Sequence, residues 1–186
     1  MKNPEHRVRT TKKLLRDALM SLLTKKPLRS ITVKELCDLA RINKKTFYHY
    51  YESLDDLLAE MQAELSASYI ERIKDFSLPE DLDKVNRVFF LYSAEQGLAY
   101  EKITCSNAYH SIRDKMITKV TDTGWGKSKK YQKLSDFEKH LLLEFVNQSV
   151  LTAYRQWIED GKQMPIEEVI DTTNRIVLGG VNGFFR

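Results

Sequence analysis

The signals that start helices constrain the fold of this chain more than any other feature of its sequence. Four Ser or Thr residues are each followed, three positions later, by an acidic residue, which is the capping-box pattern of a helix N-terminus. The four pairs are Thr32/Glu35, Ser53/Asp56, Ser77/Glu80 and Ser135/Glu138. Few segments alternate apolar and polar residues with a period of two, so strands are not favoured. The sequence therefore predicts an all-α protein.

Apolar residues that recur at intervals of three and four positions predict the extent of each helix. The predicted spans are 9–25, 33–40, 44–50, 53–76, 78–95, 98–122, 136–159 and 166–184. Residues 122–135 contain two Gly, two Ser and four Lys, and this composition predicts a loop between two of the helices.

Positive charge is concentrated in the first quarter of the chain. The net charge is +4, but residues 1–51 contain 13 Lys and Arg against 4 Asp and Glu, whereas residues 52–186 contain 17 against 22. This asymmetry favours a basic module that binds a polyanion, joined to a body with another task. The alternative is a basic surface that is merely solvated.

Several classes of protein are disfavoured by what the sequence lacks. It has no run of about 18 apolar residues that could span a membrane, and its basic N-terminus is not followed by the apolar stretch of a signal peptide. Cys37 and Cys105 form no disulfide framework and suit a reducing cytoplasm. No phosphate loop, HExxH motif, nucleophile elbow or metal-ligand spacing occurs, so we expect no catalytic residue, no metal and no cofactor.

A short helix at 33–40, the tight connection Arg-Ile-Asn and a second short helix at 44–50 form the pattern of a helix-turn-helix motif. The second helix is too short to be stable alone, so Phe47 and Tyr51 are predicted to anchor it on the core. The remaining side chains can project towards the major groove of a duplex, where Lys, Tyr and His contact phosphates or base edges. The predicted DNA-binding residues are Thr32, Asn43, Lys44, Lys45, Thr46, Tyr48, His49 and Tyr50.

The segment ITVKELCDLARINKKTFYHYYESLDDLL, residues 31–58, resembles the DNA-binding domain of TetR-type bacterial transcriptional regulators. The resemblance lies in a Thr-capped helix, the Ile42–Tyr51 stretch and a Ser-capped fourth helix. Two positions depart from the family pattern. Arg41 stands where Gly is usual, and a left-handed backbone there would cost Arg about 1 kcal/mol relative to Gly unless the turn differs. Leu54 stands where a Lys often meets a phosphate.

The resemblance implies a cytoplasmic homodimer that reads a near-palindromic operator in double-stranded DNA, and a body that binds a small-molecule effector. We predict a helix-turn-helix DNA-binding domain at 1–52 and a helical ligand-binding and dimerisation domain at 53–186, connected by the helix at 53–76. The predicted function is a repressor that the effector releases from DNA. The alternative is a helical adaptor or co-activator that retains the DNA-binding-like head but acts through a protein partner.

Two further sets of residues are candidates within the body. The helices at 136–159 and 166–184 are apolar on more than one face, which favours a dimer interface, although both could simply be core. The predicted interface residues are Phe145, Leu151, Tyr154, Ile176, Leu178 and Phe184. Aromatic residues that could line an effector pocket, or equally form core, are Phe89, Phe90, Tyr92, Tyr109, Trp125 and Trp157.

Overall fold

The fold is known from a computed structural model that describes residues 4–105, 120 and 124–185. The described residues contain helices and no strand, which confirms the prediction of an all-α protein. The helices are α1 (Pro4–Leu23), α2 (Val33–Ala40), α3 (Lys44–Tyr50), α4 (Leu54–Ile73), α5 (Leu82–Glu95), α6 (Leu98–Cys105), α7 (Lys129–Gln132), α8 (Asp136–Glu159) and α9 (Ile166–Phe184). None of these described helices is both long and apolar enough to cross a membrane.

Local capping chemistry sets several of these helix boundaries. Complete capping boxes form at Ser53 and at Ser135, where the side chain accepts a backbone N–H bond and the acid three positions later accepts the N–H of the cap. The box at Thr32 is only half made. The Thr32 hydroxyl accepts the N–H of Glu35 at 3.2 Å, but the Glu35 carboxylate instead pairs with Lys26 at 2.5 Å.

The predicted start of the helix at 78–95 is wrong, because α5 begins at Leu82. The N–H of Ser77 donates to the Asp81 carboxylate at 3.0 Å rather than to Glu80, so no capping box forms there. Leu78 is buried in the body, and as the residue before Pro79 it disfavours helical backbone angles. The predicted loop at 122–135 contains the short helix α7. Of the predicted helix at 98–122, the structure describes Leu98–Cys105 as α6.

Two hydrophobic cores lie along the chain, and α4 contributes to both. The first core is formed by α1, α2, α3 and the first half of α4, including Leu57 and Met61. The second is formed by α5, α8 and α9 with Tyr69 and Ile73 from the second half of α4. We call these parts the head and the body. The predicted domain boundary between residues 52 and 53 remains a prediction, since the first core also includes Met61 of α4 and Ala99 of α6.

Candidate DNA-binding surface

Helix α3 is held on the head by its underside. The Asn43 side chain accepts the N–H of Lys45 at 2.8 Å and so caps the first turn. Phe47 is 0% exposed and Tyr51 is 5% exposed, and their ring centroids lie 5.7 Å apart. This burial supplies the stability that a helix of seven residues lacks alone.

The opposite side of α3 is open to solvent. Lys44, Lys45, Tyr48 and His49 are all exposed, Tyr48 by 57%. We call these four residues the outer face of α3. Their exposure is a condition for groove binding that the structure meets, and the DNA contacts themselves remain predictions.

The other predicted contact residues lie closer to the framework. Thr32 and Asn43 are exposed, but each uses its side-chain oxygen to cap a helix. Thr46 is half-buried. Tyr50 is also half-buried, packs against the first core and contacts the ring of His49 edge-on. These residues therefore combine a structural role with a position beside the outer face.

The turn between α2 and α3 adopts the geometry that Gly favours, although the residue is Arg. Arg41 has φ 55° and ψ 40°, which is the left-handed region. The N–H of Ile42 donates to the carbonyl of Cys37 at 3.0 Å, which closes the end of α2 in the way of a Schellman motif. The alternative of a different turn at Arg41 is therefore wrong. Leu54, the other departure from the family pattern, is half-buried and packs against the first core.

A network of charged and polar side chains fixes the end of α3 to its neighbours. The Glu60 carboxylate of α4 accepts hydrogen bonds from Lys12 at 2.6 Å, from Arg16 at 2.6 Å and from the Tyr51 hydroxyl at 3.0 Å. Arg16 also pairs with Glu64 at 2.5 Å. The network links α1, α4 and the residue that follows α3, so the orientation of α3 is tied to that of α4.

This network shifts the acidity of two of its members. Burial opposes ionisation of Glu60, but the bonds from Lys12, Arg16 and Tyr51 outweigh it and lower the pKa of Glu60. Burial, reinforced by the hydrogen bond to Glu60, raises the pKa of Tyr51. Sequence analysis did not identify this network. Its signal was the spacing of four positions between Lys12 and Arg16 and between Glu60 and Glu64, which puts two cations on one helix face and two anions on another.

The cations of the head fall into two groups. Lys12, Arg16 and Lys26 are occupied by ion pairs with acidic residues. A second set is exposed and forms no ion pair with any residue that the structure describes: Arg7, Arg9, Lys13, Lys25, Arg29, Lys34, Arg41, Lys44 and Lys45. Four of these cations, Lys34, Arg41, Lys44 and Lys45, lie in the helix-turn-helix motif, which therefore carries part of the unneutralised positive charge of the head.

Residues 15–61 match the sequence model of a family described as bacterial regulatory proteins, tetR family. The matched residues coincide with the head, including α2, the strained turn and α3. The N-terminal domain belongs to the TetR family. No curated protein sequence matches the chain significantly.

Solved structures extend the likeness in fold to nearly the whole chain. A fatty acid degradation regulator FadR from Bacillus halodurans has a TM-score of 0.69 at 16% identity, with 97% of each chain covered. A TetR transcriptional regulator from Streptococcus agalactiae 2603V has a TM-score of 0.67 at 20% identity and covers 93% of this chain and 96% of its own. The dihydroxyacetone kinase operon activator DhaS has a TM-score of 0.56 at 20% identity, with coverage of 92% and 96%.

The residues predicted to line an effector pocket are mostly packed into the second core. Ring contacts connect Phe89, Phe90, Tyr92 and Trp157 into one aromatic cluster through Tyr69 and Tyr154. Trp125 lies in a separate group, against Tyr131 and Phe185. Tyr109 lies outside the described residues. Trp157 borders a surface hollow of about 590 Å³, and Tyr92 borders another of about 430 Å³.

The residues predicted for a dimer interface divide into exposed and buried positions. Phe145, Ile176 and Phe184 are exposed, Ile176 by 61%, and Leu178 is half-buried. Leu151 and Tyr154 are buried inside the single chain.

Two exposed apolar residues of α8 were missed by sequence analysis. Phe137 and Leu141 precede Phe145 at intervals of four positions, and Phe137 is 75% exposed. The three side chains therefore form one stripe along α8. The interval of four was the signal that could have identified them.

Proposed function

We propose that this protein is a sequence-specific transcriptional regulator that works in the cytoplasm as a homodimer. It binds a near-palindromic operator in double-stranded DNA and acts as a repressor that a small-molecule effector releases. The observation that carries the proposal is the outer face of α3, where Lys44, Lys45, Tyr48 and His49 are exposed on a helix whose other side is buried.

The chemistry of this surface suits a duplex. A helix fits the major groove, and residues near its N-terminus reach base edges and phosphates. Lys44 and Lys45 lie in the first turn of α3, and the surrounding cations are not neutralised by acidic residues of the described chain. Tyr48 and His49 add hydrogen-bond donors and apolar ring surface for phosphates and thymine methyl groups. Thr32, Asn43, Thr46 and Tyr50 complete the proposed contact set.

The homodimer is proposed from an apolar surface on the last two helices. Helix α8 presents the stripe of Phe137, Leu141 and Phe145, and the neighbouring helix α9 presents Ile176 and Phe184. Exposed large apolar side chains grouped in this way are typical of protein interfaces. We call these five residues the α8–α9 surface.

Glycines of α9 support the same proposal. Gly180 leaves space for a side chain of the same chain, because a Cβ at this position would lie 2.6 Å from the Phe145 ring. At Gly179 and Gly183 a Cβ would meet nothing within 4 Å, so no described contact requires these glycines. Each costs the helix about 1 kcal/mol relative to Ala. Close approach of a second copy accounts for this cost.

The proposal that an effector acts on the body has weaker physical support. The hollow bordered by Trp157 has apolar walls from Leu91, Met164 and Ile166, and its lining also includes the charged residues Glu95 and Lys162. Because Lys162 already pairs with Glu101, this lining suits a small ligand that is mainly apolar. We therefore propose this hollow as the first place to examine for effector contact.

The second candidate function is that of an adaptor or co-activator. It is favoured by one observation among the neighbours in fold, since DhaS is described as an operon activator. Leu54 also packs into the head at a position where a phosphate contact would be expected from the resemblance. In this alternative the head remains folded and the protein acts by binding another protein.

Selection of bound duplexes from a random pool tests the proposal. The wild-type protein should enrich a near-palindromic sequence, and a variant with Lys44→Ala and Tyr48→Ala should enrich none, because both side chains are lost from the outer face. Lys129→Ala, an exposed change in the body, is the matched control and should select the same sequence as wild type. Repeating the selection with a metabolite panel tests effector release. A wild-type protein that enriches nothing, yet retains a protein partner in a pull-down, would support the adaptor instead.

A further inference from the structure

We propose that Arg41 binds a DNA phosphate beside α3, and that a strained backbone is retained at the α2–α3 turn because of this contact. The proposal rests on the proposed DNA-binding function and adds to it a residue outside the predicted contact set. It is argued from the backbone at Arg41, from the lack of a structural partner for its side chain, and from its reach.

The turn itself requires a left-handed residue and gives no reason for Arg. The bond from the N–H of Ile42 to the carbonyl of Cys37 depends on φ 55° and ψ 40° at Arg41. Gly adopts this conformation freely, and Asn tolerates it better than other residues with a Cβ. Folding alone would therefore favour Gly or Asn at this position.

The Arg41 side chain makes no contact that would offset this strain. It is exposed, and it forms no hydrogen bond or ion pair with any described residue. Asp38, three positions before it on the chain, is also exposed, yet the two side chains do not pair. A basic side chain that is held in place by the fold would have such a partner.

Lys162 provides the contrast within the same chain. In the described part of the chain, Arg41 and Lys162 are the two residues other than Gly that have a positive φ. The Lys162 ammonium pairs with Glu101, which is 4% exposed, and lies 5.5 Å from the centre of the Trp157 ring. The strain at Lys162 is thus compensated inside the protein, whereas compensation for Arg41 must come from outside it.

The position of Arg41 identifies the outside partner. Arg41 lies two residues before Asn43, the cap of α3, and is therefore within about 7 Å of it along the chain. The N-terminal end of a recognition helix lies in the major groove, which is about 12 Å wide and bordered by phosphates. The guanidinium presents a planar fork of donors that matches phosphate oxygens. Because Lys44 and Lys45 are also unpaired, a polyanion is the ligand that this end of α3 fits.

The test compares DNA affinity with thermal stability in variants of Arg41. The probe is a fluorescent duplex of about 30 base pairs, long enough for two half-sites, enriched from a random pool by the wild-type protein. Arg41→Gly should weaken binding about tenfold or more, through loss of one charge-assisted contact per subunit. The slope of log affinity against log salt should decrease by about 1 per subunit. The same variant should melt about 2 to 4 °C higher, because its turn is relaxed.

Three further variants separate charge from backbone. Arg41→Asn should lose affinity as Arg41→Gly does, and Arg41→Lys should keep most of the salt slope because it keeps the charge. Lys133→Ala removes one exposed cation from the body and should bind DNA as the wild type does.

A variant Arg41→Gly with wild-type affinity and salt slope would overturn the inference, provided that the Lys44→Ala/Tyr48→Ala variant has lost binding. If the wild-type protein enriches no duplex at all, it is the proposed function that fails, together with this inference.

Discussion

Truncation to Ala should destabilise the protein much more at one of two neighbouring aromatic residues of α3 than at the other. Phe47 is completely buried in the first core, whereas Tyr48 is 57% exposed on the outer face. Removing a buried Phe side chain costs about 3–5 kcal/mol. Removing an exposed side chain changes stability by about 0.5 kcal/mol or less. The rings of Phe47 and Tyr48 make an edge-on contact with their centroids 5.3 Å apart. Losing this contact adds about 0.5–1.5 kcal/mol to the cost of Tyr48→Ala. We therefore expect Phe47→Ala to cost at least about 1 kcal/mol more than Tyr48→Ala.

The tryptophans make it possible to assign this loss to the head. Trp125 and Trp157, the two in the chain, are both buried in the second core, so tryptophan fluorescence reports the body. Far-ultraviolet circular dichroism reports the helices of both parts. In urea, Phe47→Ala should lose part of its helical signal before its fluorescence changes. Tyr48→Ala should unfold like the wild type in both signals but fail to bind the enriched duplex.

An equal loss of stability in the two variants would refute the reasoning, because α3 would then not have one buried and one open side. Phe47→Leu is the control for specific packing: it retains an apolar side chain and should lose less than Phe47→Ala. Normal DNA binding by a folded Tyr48→Ala would contradict the role of the outer face without affecting the argument on stability.

Three further predictions concern the polar network, the dimer and a helix cap. Because the pKa of Glu60 lies below its ordinary 4.5, its stabilising effect is complete above that pH and is lost as the pH falls through the folded value. Glu60→Gln should thus lower the free energy of unfolding by about 1–2 kcal/mol at pH 7. The free energy of unfolding of this variant should also change less between pH 7 and pH 4 than that of the wild type, as urea titrations at the two pH values would show. Gly179→Ala should weaken the dimer in sedimentation velocity; an intact dimer with a higher melting temperature would mean that this face of α9 meets only solvent. Ser135→Ala should cost about 1 kcal/mol in thermal unfolding, with no loss of DNA binding.

The sequence predicted those elements that depend on neighbours along the chain. The caps at Ser53 and Ser135 are made within one helical turn, so the residue pattern was sufficient to predict them. At Ser77 the same pattern failed, because Asp81 rather than Glu80 accepts the N–H of Ser77 and because Leu78, as the residue before Pro79, disfavours helical backbone angles. Pro79 was therefore the local signal that could have corrected this prediction.

The candidate site was predictable to a similar extent. The two sides of α3 followed from its short length and its aromatic spacing. The left-handed turn at Arg41 could be considered but not decided, since the residue type argued against a geometry that the Ile42 bond imposes. The body was harder, because apolar residues at helical spacing do not reveal whether they meet their own core or a second copy. Tyr154, predicted at the interface, is completely buried within the chain.

The sharing of α4 between the two cores limits how an event in the body can reach the outer face of α3. A helix of 20 residues is a stiff rod of about 30 Å, so a tilt that moves Tyr69 in the second core also moves Met61 in the first. Glu60 lies on the same helix, and its carboxylate accepts a hydrogen bond from the hydroxyl of Tyr51, the residue that follows α3. A displacement of α4 is therefore transmitted to α3 by a hydrogen bond as well as by packing. Tyr51→Phe, which removes that bond and keeps the ring, should reduce the effect of any effector on DNA affinity more than it reduces the affinity itself.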